Sequence, residues 1–519
     1  MATVRRTFTV DAQGLADARR PVDGFVLEEP LGEDRFGLIE GPYQRWSRTL
    51  TVDSLPPETP EAAPRFSVEE RMEFRSAIPV WGPLFDLFAR ITYRNGAHRS
   101  DGDRLPWWSP PNRFDARTAQ VVGVLSMVAL LSGYLGTLIT QTIAFAADEF
   151  GHPDDTSLQG EVLAVTRLGI FLSLAITVSA DRRGRRPLLV LACLGGSLLA
   201  GATAFAPSLW AMGATQTVAR GFATAMIVLY GIHVAEEVPA GSRAYAVSAL
   251  ALAAGVGSGA TVWLLPLADV DPQGWRLLYL VPLIGLPGVW WIRARLPESA
   301  RFEAHVDDPD DGLGQAEAAG WQRFALLAAT GFLMSLFIAP AAQLQNQYLK
   351  EEIGWGATLI ALFTLVTNAP RSIGVVVGGR LADTHGRRLI GSIGLVGIIV
   401  TVVGTYASSG VALWLWGLGG VVGAMLVPVF GVYGPELFPT RTRGVAGGGL
   451  GVVGVAGSVT GLLVGGRLAD AVGFGTTFLL LAIGPTIVLL LVIFRFPETA
   501  GQELEELNPS DQSPPGATD

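Results

Sequence analysis

Three arginines stand in stretches that otherwise carry no charge: Arg167 in residues 162–180, Arg220 in 208–235 and Arg371 in 355–379. A guanidinium near the centre of a bilayer costs at least ~2.5 kcal/mol on the most lenient insertion scale, so such a group must face protein or a watery cavity. No carboxylate shares those windows, and Asp148, Glu149 and Glu161 lie only at their outer edges. Two chemistries fit three cations without anions. An anionic solute, a carboxylate or a phosphate ester, binds them, or backbone carbonyls and edge carboxylates satisfy them. Groups able to orient a solute are Tyr134, Thr137, Thr140 and Gln141 in 118–147, Gln343, Gln345, Asn346 and Gln347 in 324–349, and Asn368 beside Pro370. Hydrogen bonding between helices is their alternative use.

A second set of charges sits in short loops and recurs. Asp181-Arg182-Arg183-Gly184-Arg185-Arg186 matches Asp383-Thr384-His385-Gly386-Arg387-Arg388 at an offset of 202, and Glu236-x-x-Pro239-x-x-x-Arg243 matches Glu436-x-x-Pro439-x-x-x-Arg443 at 200. Pro297-Glu298-Ser299 matches Pro497-Glu498-Thr499, again 200 apart. Three matches in one order at nearly one spacing mark a duplication. Gly184 permits the tight reversal, and Asp181 can sit against a helix N-terminus, where a carboxylate gains roughly 0.3–1 kcal/mol. Arg185 and Arg186 can reach Glu236, Glu237 or Glu298. Asp383, Gly386, Arg387, Arg388, Glu436, Arg443 and Glu498 offer the second half the same set.

The elements that must position these residues are long apolar helices. Of 519 residues 50% are hydrophobic and only 16% charged, with a mean hydropathy of +0.40, too apolar for a soluble chain of this size. Windows of about the ~20 residues needed to cross a bilayer follow one another from residue 118 onward, and counting them gives twelve. The sole cysteine, Cys193, excludes an internal disulfide, and the net charge of −9 argues against nucleic acid. Arginines cluster after the second, eighth and tenth spans, whereas the loop 148–160 holds four acids and no Arg or Lys. The positive-inside rule then places both termini and the loop 296–322 in the cytoplasm.

Between residues 118 and 507 the chain resembles the major facilitator superfamily. The Asp181 loop and Gly379-Arg380-Leu381-Ala382-Asp383-Thr384-His385-Gly386-Arg387-Arg388 resemble its signature loops. Tyr433-Gly434-Pro435-Glu436-Leu437-Phe438-Pro439-Thr440-Arg441 is similar to its tenth-helix signature. Pro297-Glu298-Ser299-Ala300-Arg301 and Pro497-Glu498-Thr499-Ala500-Gly501 resemble the sugar-porter and metabolite:proton symporter branches. The resemblance implies an alternating-access secondary transporter with an ion, usually a proton, as second substrate. It implies a cytoplasmic latch of Asp181, Gly184, Arg185, Arg186, Glu236, Arg243 and Glu298 with their second-half counterparts, closed when the site opens outward. Two departures matter. The sugar porters' paired glutamines are absent from Ala342-Gln343-Leu344-Gln345-Asn346, and residues 118–147 hold no acidic proton site. Asp148, Glu149, Glu161 and His233 are the remaining proton candidates. Gly255-Val256-Gly257-Ser258-Gly259 lacks the proline of drug antiporters.

The sequence therefore predicts an all-α membrane protein of twelve helices, with six-helix halves at 118–295 and 323–495 and a tail at 496–519. The expected substrate contacts are Arg167, Arg220, Arg371, Tyr134, Gln141, Gln343, Asn346 and Asn368. Residues 1–117 form a small α+β extension: 45–52 and 66–74 alternate as strands do, and 80–91 has helical spacing, either a core helix or one lying on the membrane. No cofactor, metal or catalytic nucleophile is expected; a small-molecule substrate and the lipid bilayer of the plasma membrane are. A sugar or drug transporter, and a membrane sensor or scaffold whose extension binds a partner, are the alternatives.

Overall fold

The computed structural model describes residues 2–56, 64–96, 106, 108–151, 156–306, 313–355, 357–440 and 442–508. Two compact units divide the chain, Met1–Val124 and Leu125–Asp519.

The first unit is an antiparallel sheet of five strands, β1 (Ala2–Val10), β2 (Leu27–Gly32), β3 (Arg35–Glu40), β4 (Tyr43–Leu55) and β5 (Arg65–Ser76), in the order β1-β5-β4-β3-β2. Helices α1 (Ala12–Ala18) and α2 (Gly82–Arg94) complete it. Alternation places Val68, Glu70, Met72 and Phe74 of β5 on the buried face, beside Trp46, Arg48 and Leu50 of β4. One apolar cluster joins Leu50 and Val68 to Leu15 and Ala18 of α1, and another joins Trp46, Met72 and Phe74 to Ala89 and Tyr93 of α2. A wholly buried Arg48 lies on the same face, 2.7 Å from Glu28, 3.5 Å from Glu70 and 3.8 Å above the Phe36 ring. The two strands and one helix expected there are present. β1, β2, β3 and α1 are additional; β1 alternates over nine residues much as 66–74 does.

In the second unit, with the helix that enters it, eleven helices among the described residues are long and apolar enough to cross a membrane. In the numbering of spans they are 1 (Ala116–Glu149), 2 (Glu161–Arg183), 3 (Arg185–Thr203), 4 (Leu209–Glu237), 5 (Ala240–Ala268), 6 (Trp275–Arg295), 7 (Gly320–Lys350), 9 (Arg387–Tyr406), 10 (Gly410–Glu436), 11 (Arg443–Val472) and 12 (Phe474–Phe494). The helix Ala357–His385, which contains most of the window 355–379 with its one arginine, is span 8. Glycines set the packing. Gly257 of span 5 rests on the Leu130 carbonyl of span 1, and Gly457 of span 11, 200 residues on, rests on the Phe332 carbonyl of span 7. Two of the contacts between the halves are symmetric. Gly444 and Gly448 of span 11 lie against Thr177 of span 2, and Gly379 of span 8 lies against Ala244 and Ser248 of span 5.

Candidate functional site

The arginine-rich face carries the densest chemistry. Gly184, between spans 2 and 3, has φ +92°, and a Cβ there would strike the Glu298 carboxylate; Gly386 repeats this with φ +98° and Glu498. The space those glycines leave lets Glu298 accept the amides of Arg185 (2.9 Å) and Arg186 (3.2 Å), capping span 3. Glu498 accepts the amides of Arg387 (2.8 Å) and Arg388 (3.1 Å) in the same way. Glu298 thus meets the arginine backbone, because a carboxylate at a helix start is matched by the free N–H groups. Arg186 instead donates to the Arg293 carbonyl at 2.7 Å, and Arg388 donates to that of Ile493.

Freed from Glu298, the Arg185 guanidinium turns inward to Glu236 at 3.1 Å. Arg443, from the other half, reaches the same Glu236 at 2.6 Å. Glu436 mirrors this between Arg387 of its own half and Arg243 of the first, the latter at 3.2 Å. Asp181 accepts the Gly444 and Val445 amides, each at 3.0 Å, at the start of span 11. Asp383 accepts those of Ala244 (3.2 Å) and Tyr245 (2.8 Å) at the start of the span 5 helix. Arg185 donates to the Thr440 carbonyl and Arg387 to that of Ala240, again 200 apart. Each glutamate therefore bridges one cation from its own half and one from the other, and all six of these charged side chains are buried. Removing one member of such a group strands its partners at a cost of about 3–5 kcal/mol. Beyond this core, Glu503 of the tail lies 3.4 Å from Arg243 and 3.1 Å from Arg301.

Mid-span, the arginines occupy a different setting. Span 2 breaks at Arg167, where turn hydrogen bonds replace helical ones and a helix restarts at Gly169. Gly169 presses on the Thr217 carbonyl and on Gly221, so spans 2 and 4 cross beside Arg167 and Arg220. Arg371, next to Pro370 in span 8, lies across Gly420 of span 10: a Cβ on Gly420 would come 2.6 Å from its Nε. Gly420 stands 200 residues after Arg220. The crossing of spans 8 and 10 thus holds one arginine where that of spans 2 and 4 holds two. Among the described residues no carboxylate pairs with any of the three, and the Arg371 Nε is buried without a hydrogen-bond partner.

The other expected contacts are dispersed. The Tyr134 hydroxyl donates to the Leu278 carbonyl of span 6 at 2.8 Å, leaving only its lone pairs for a solute. Thr137 and Thr140 bond back to their own helix. Gln141 is half-buried, and Gln343 and Asn368 are exposed, whereas the Asn346 side chain lies outside the described residues. Glu149 is held by Arg276 at 2.8 Å and by the Trp275 indole at 2.6 Å, so it does not neutralise the buried arginines. His233 is fully buried, and neither ring nitrogen has a hydrogen-bond partner; Tyr433, its repeat counterpart, donates to the Pro497 carbonyl. Gly420 was not singled out in the sequence, although its offset from Arg220 marks it.

A family model for the Major Facilitator Superfamily matches residues 324–512. A putative metabolite transport protein of Haemophilus influenzae is 26% identical over 67% of this chain and 88% of its own length. The gallate transporter of Pseudomonas putida is 26% identical over 63% of this chain and 80% of its own. The gentisate transporter of Corynebacterium glutamicum is 27% identical over 60% and 74%. Among solved structures, the proton:xylose symporter XylE superposes with a TM-score of 0.67 at 18% identity, over 76% of this chain and 98% of that one.

Proposed function

We propose, from the premise that the chain is a multi-pass transporter of the major facilitator superfamily, that its cargo is a small organic anion, an aromatic or unsaturated carboxylate. The observation that carries this reading is the set of unneutralised cations: Arg167 beside Arg220 at one crossing, and Arg371, with its buried unpartnered Nε, at the equivalent one. A carboxylate supplies the missing charge, and a planar guanidinium matches it with two parallel hydrogen bonds. Relatives named for gallate and gentisate, both benzoate-type carboxylates, support the same class.

Transport by alternating access fits the two six-helix halves, with the Glu236 and Glu436 clusters as a cytoplasmic lock that closes when the site opens outward. Proton coupling belongs to the same reading. Of Asp148, Glu149, Glu161 and His233, only His233 is both buried and without a hydrogen-bond partner.

The test is thermal stabilisation of the purified protein by a panel of carboxylates, sugars, sugar phosphates and cationic drugs, followed by uptake into proteoliposomes. Carboxylates should raise the melting temperature by mass action, and Arg220→Ala should weaken their apparent affinity ~10-fold or more, the worth of one charge-assisted hydrogen-bond pair. Unchanged affinity in both Arg220→Ala and Arg371→Ala sinks the anion site. Stabilisation by neutral sugars alone makes the arginines structural.

A further inference from the structure

Helix α2 of the N-terminal unit turns two unlike faces outward and inward. Phe85, Ala89 and Tyr93 pack onto the sheet, while Leu84, Leu87, Phe88 and Ile91 are 53, 53, 43 and 52% exposed. Their i, i+3, i+4, i+7 spacing makes one continuous apolar stripe. Val80, 57% exposed and held at φ +62°, extends it at the N-terminal end. Arg90 and Arg94 are exposed on the same helix, and at 100° per residue both fall along one border of the stripe.

What covers the stripe follows from where the unit is fastened. Pro79, three residues before α2, packs on Gly123, where a Cβ would come within 2.6 Å of the proline ring; Gly123 lies seven residues into span 1. Arg113, three residues before span 1 begins, donates to the Gly24 carbonyl at 2.8 Å and pairs with Asp23. Both ties hold the unit at the point where the chain enters the bilayer. An apolar stripe edged by cations at that level matches a helix in the plane of the membrane surface, its apolar side ~5–10 Å into the headgroup and acyl boundary.

We propose that α2 is a membrane-surface anchor, with Leu84, Leu87, Phe88 and Ile91 in the acyl boundary and Arg90 and Arg94 on anionic lipid headgroups. It rests on the chain being a membrane protein and not on the identity of its cargo.

Cys193 is the sole cysteine and is buried, so Leu87→Cys gives the full-length protein one reactive thiol. That variant, labelled with a polarity-sensitive dye, is reconstituted into nanodiscs of phosphatidylcholine and phosphatidylglycerol with or without brominated acyl chains. Bromolipid should quench the dye roughly twofold or more, because a probe at that depth touches the acyl chains. Asp53→Cys, exposed on β4, should stay unquenched. Absence of quenching at position 87 overturns the proposal, whether the dye then reports water or a dry protein surface that has covered it. Quenching that is no weaker without phosphatidylglycerol, and no weaker in Arg90→Glu/Arg94→Glu, overturns the part assigned to the arginines.

Discussion

Arg220 and Gly420 hold the same place in the two repeats, yet one carries a charge and the other makes room for one, since Arg371 lies across Gly420. A methyl group on Gly420 would sit 2.6 Å from the Arg371 Nε, so the guanidinium must move although its charge is kept. Gly420→Ala should therefore weaken carboxylate binding in the direction of Arg371→Ala, by ~10-fold or more if a charge-assisted hydrogen bond is lost. Ligand titration of both variants checks this. Equal affinity in Gly420→Ala and the parent chain would mean that the Arg371 position does not matter to the site. The three arginines were legible in the sequence because charge inside an apolar window is rare. Their pairing was not, because a sequence gives depth along a helix and says little of which neighbour a side chain meets. Glu28 and Arg48 show the same limit: they look like surface charges, and only the fold reveals both as buried.

At the scale of elements, spans 2, 5, 8 and 11 make symmetric contacts between the halves, and the Glu236 and Glu436 clusters draw their charges from the ends of spans 3, 4 and 5 and of spans 9, 10 and 11. The loop motifs show that acids and arginines recur at nearly one offset, so the residues of the two charged clusters could be picked out in the sequence. Their wiring depended on packing: Asp181 could find a helix N-terminus only because Gly444 and Gly448 let span 11 close on span 2. Glu236 binds Arg185 and Arg443 together, so Glu236→Gln strands two buried cations and should destabilise the locked state by about 3–5 kcal/mol. Ala240, buried at the lock, is a suitable reporter as Ala240→Cys, since Cys193 is itself buried. Thiol labelling at position 240 should quicken at least about tenfold in Glu236→Gln, and as much in Glu436→Gln. The double variant should add less than the sum, because a lock already open cannot be opened again. Labelling that stays slow in both single variants would show that the halves are held by something other than these clusters.

The whole molecule faces a constraint that no single residue sets. An organic anion entering a negative interior moves against the potential, at ~2.3 kcal/mol per charge for each 100 mV, which alone lowers its accumulation ~50-fold. A carrier with a cation-lined site can accumulate its cargo against that potential only if the charge is compensated, as a positive charge travelling with the cargo would do. One proton for one carboxylate makes the cycle electroneutral, and the locked, pseudo-symmetric pair of halves is suited to moving both in one rocking step. In proteoliposomes, an inward proton gradient at zero potential should drive uptake of a monocarboxylate. A potassium diffusion potential of either sign, with pH equal on both sides, should leave its distribution unchanged. Accumulation that instead follows the potential, falling ~50-fold per 100 mV of interior-negative bias, would mean that the anion crosses alone and that the arginines serve a uniporter or an exporter. His233→Gln separates these further, since a variant that loses gradient-driven uptake while keeping anion exchange between the two sides has lost its proton and not its cargo site.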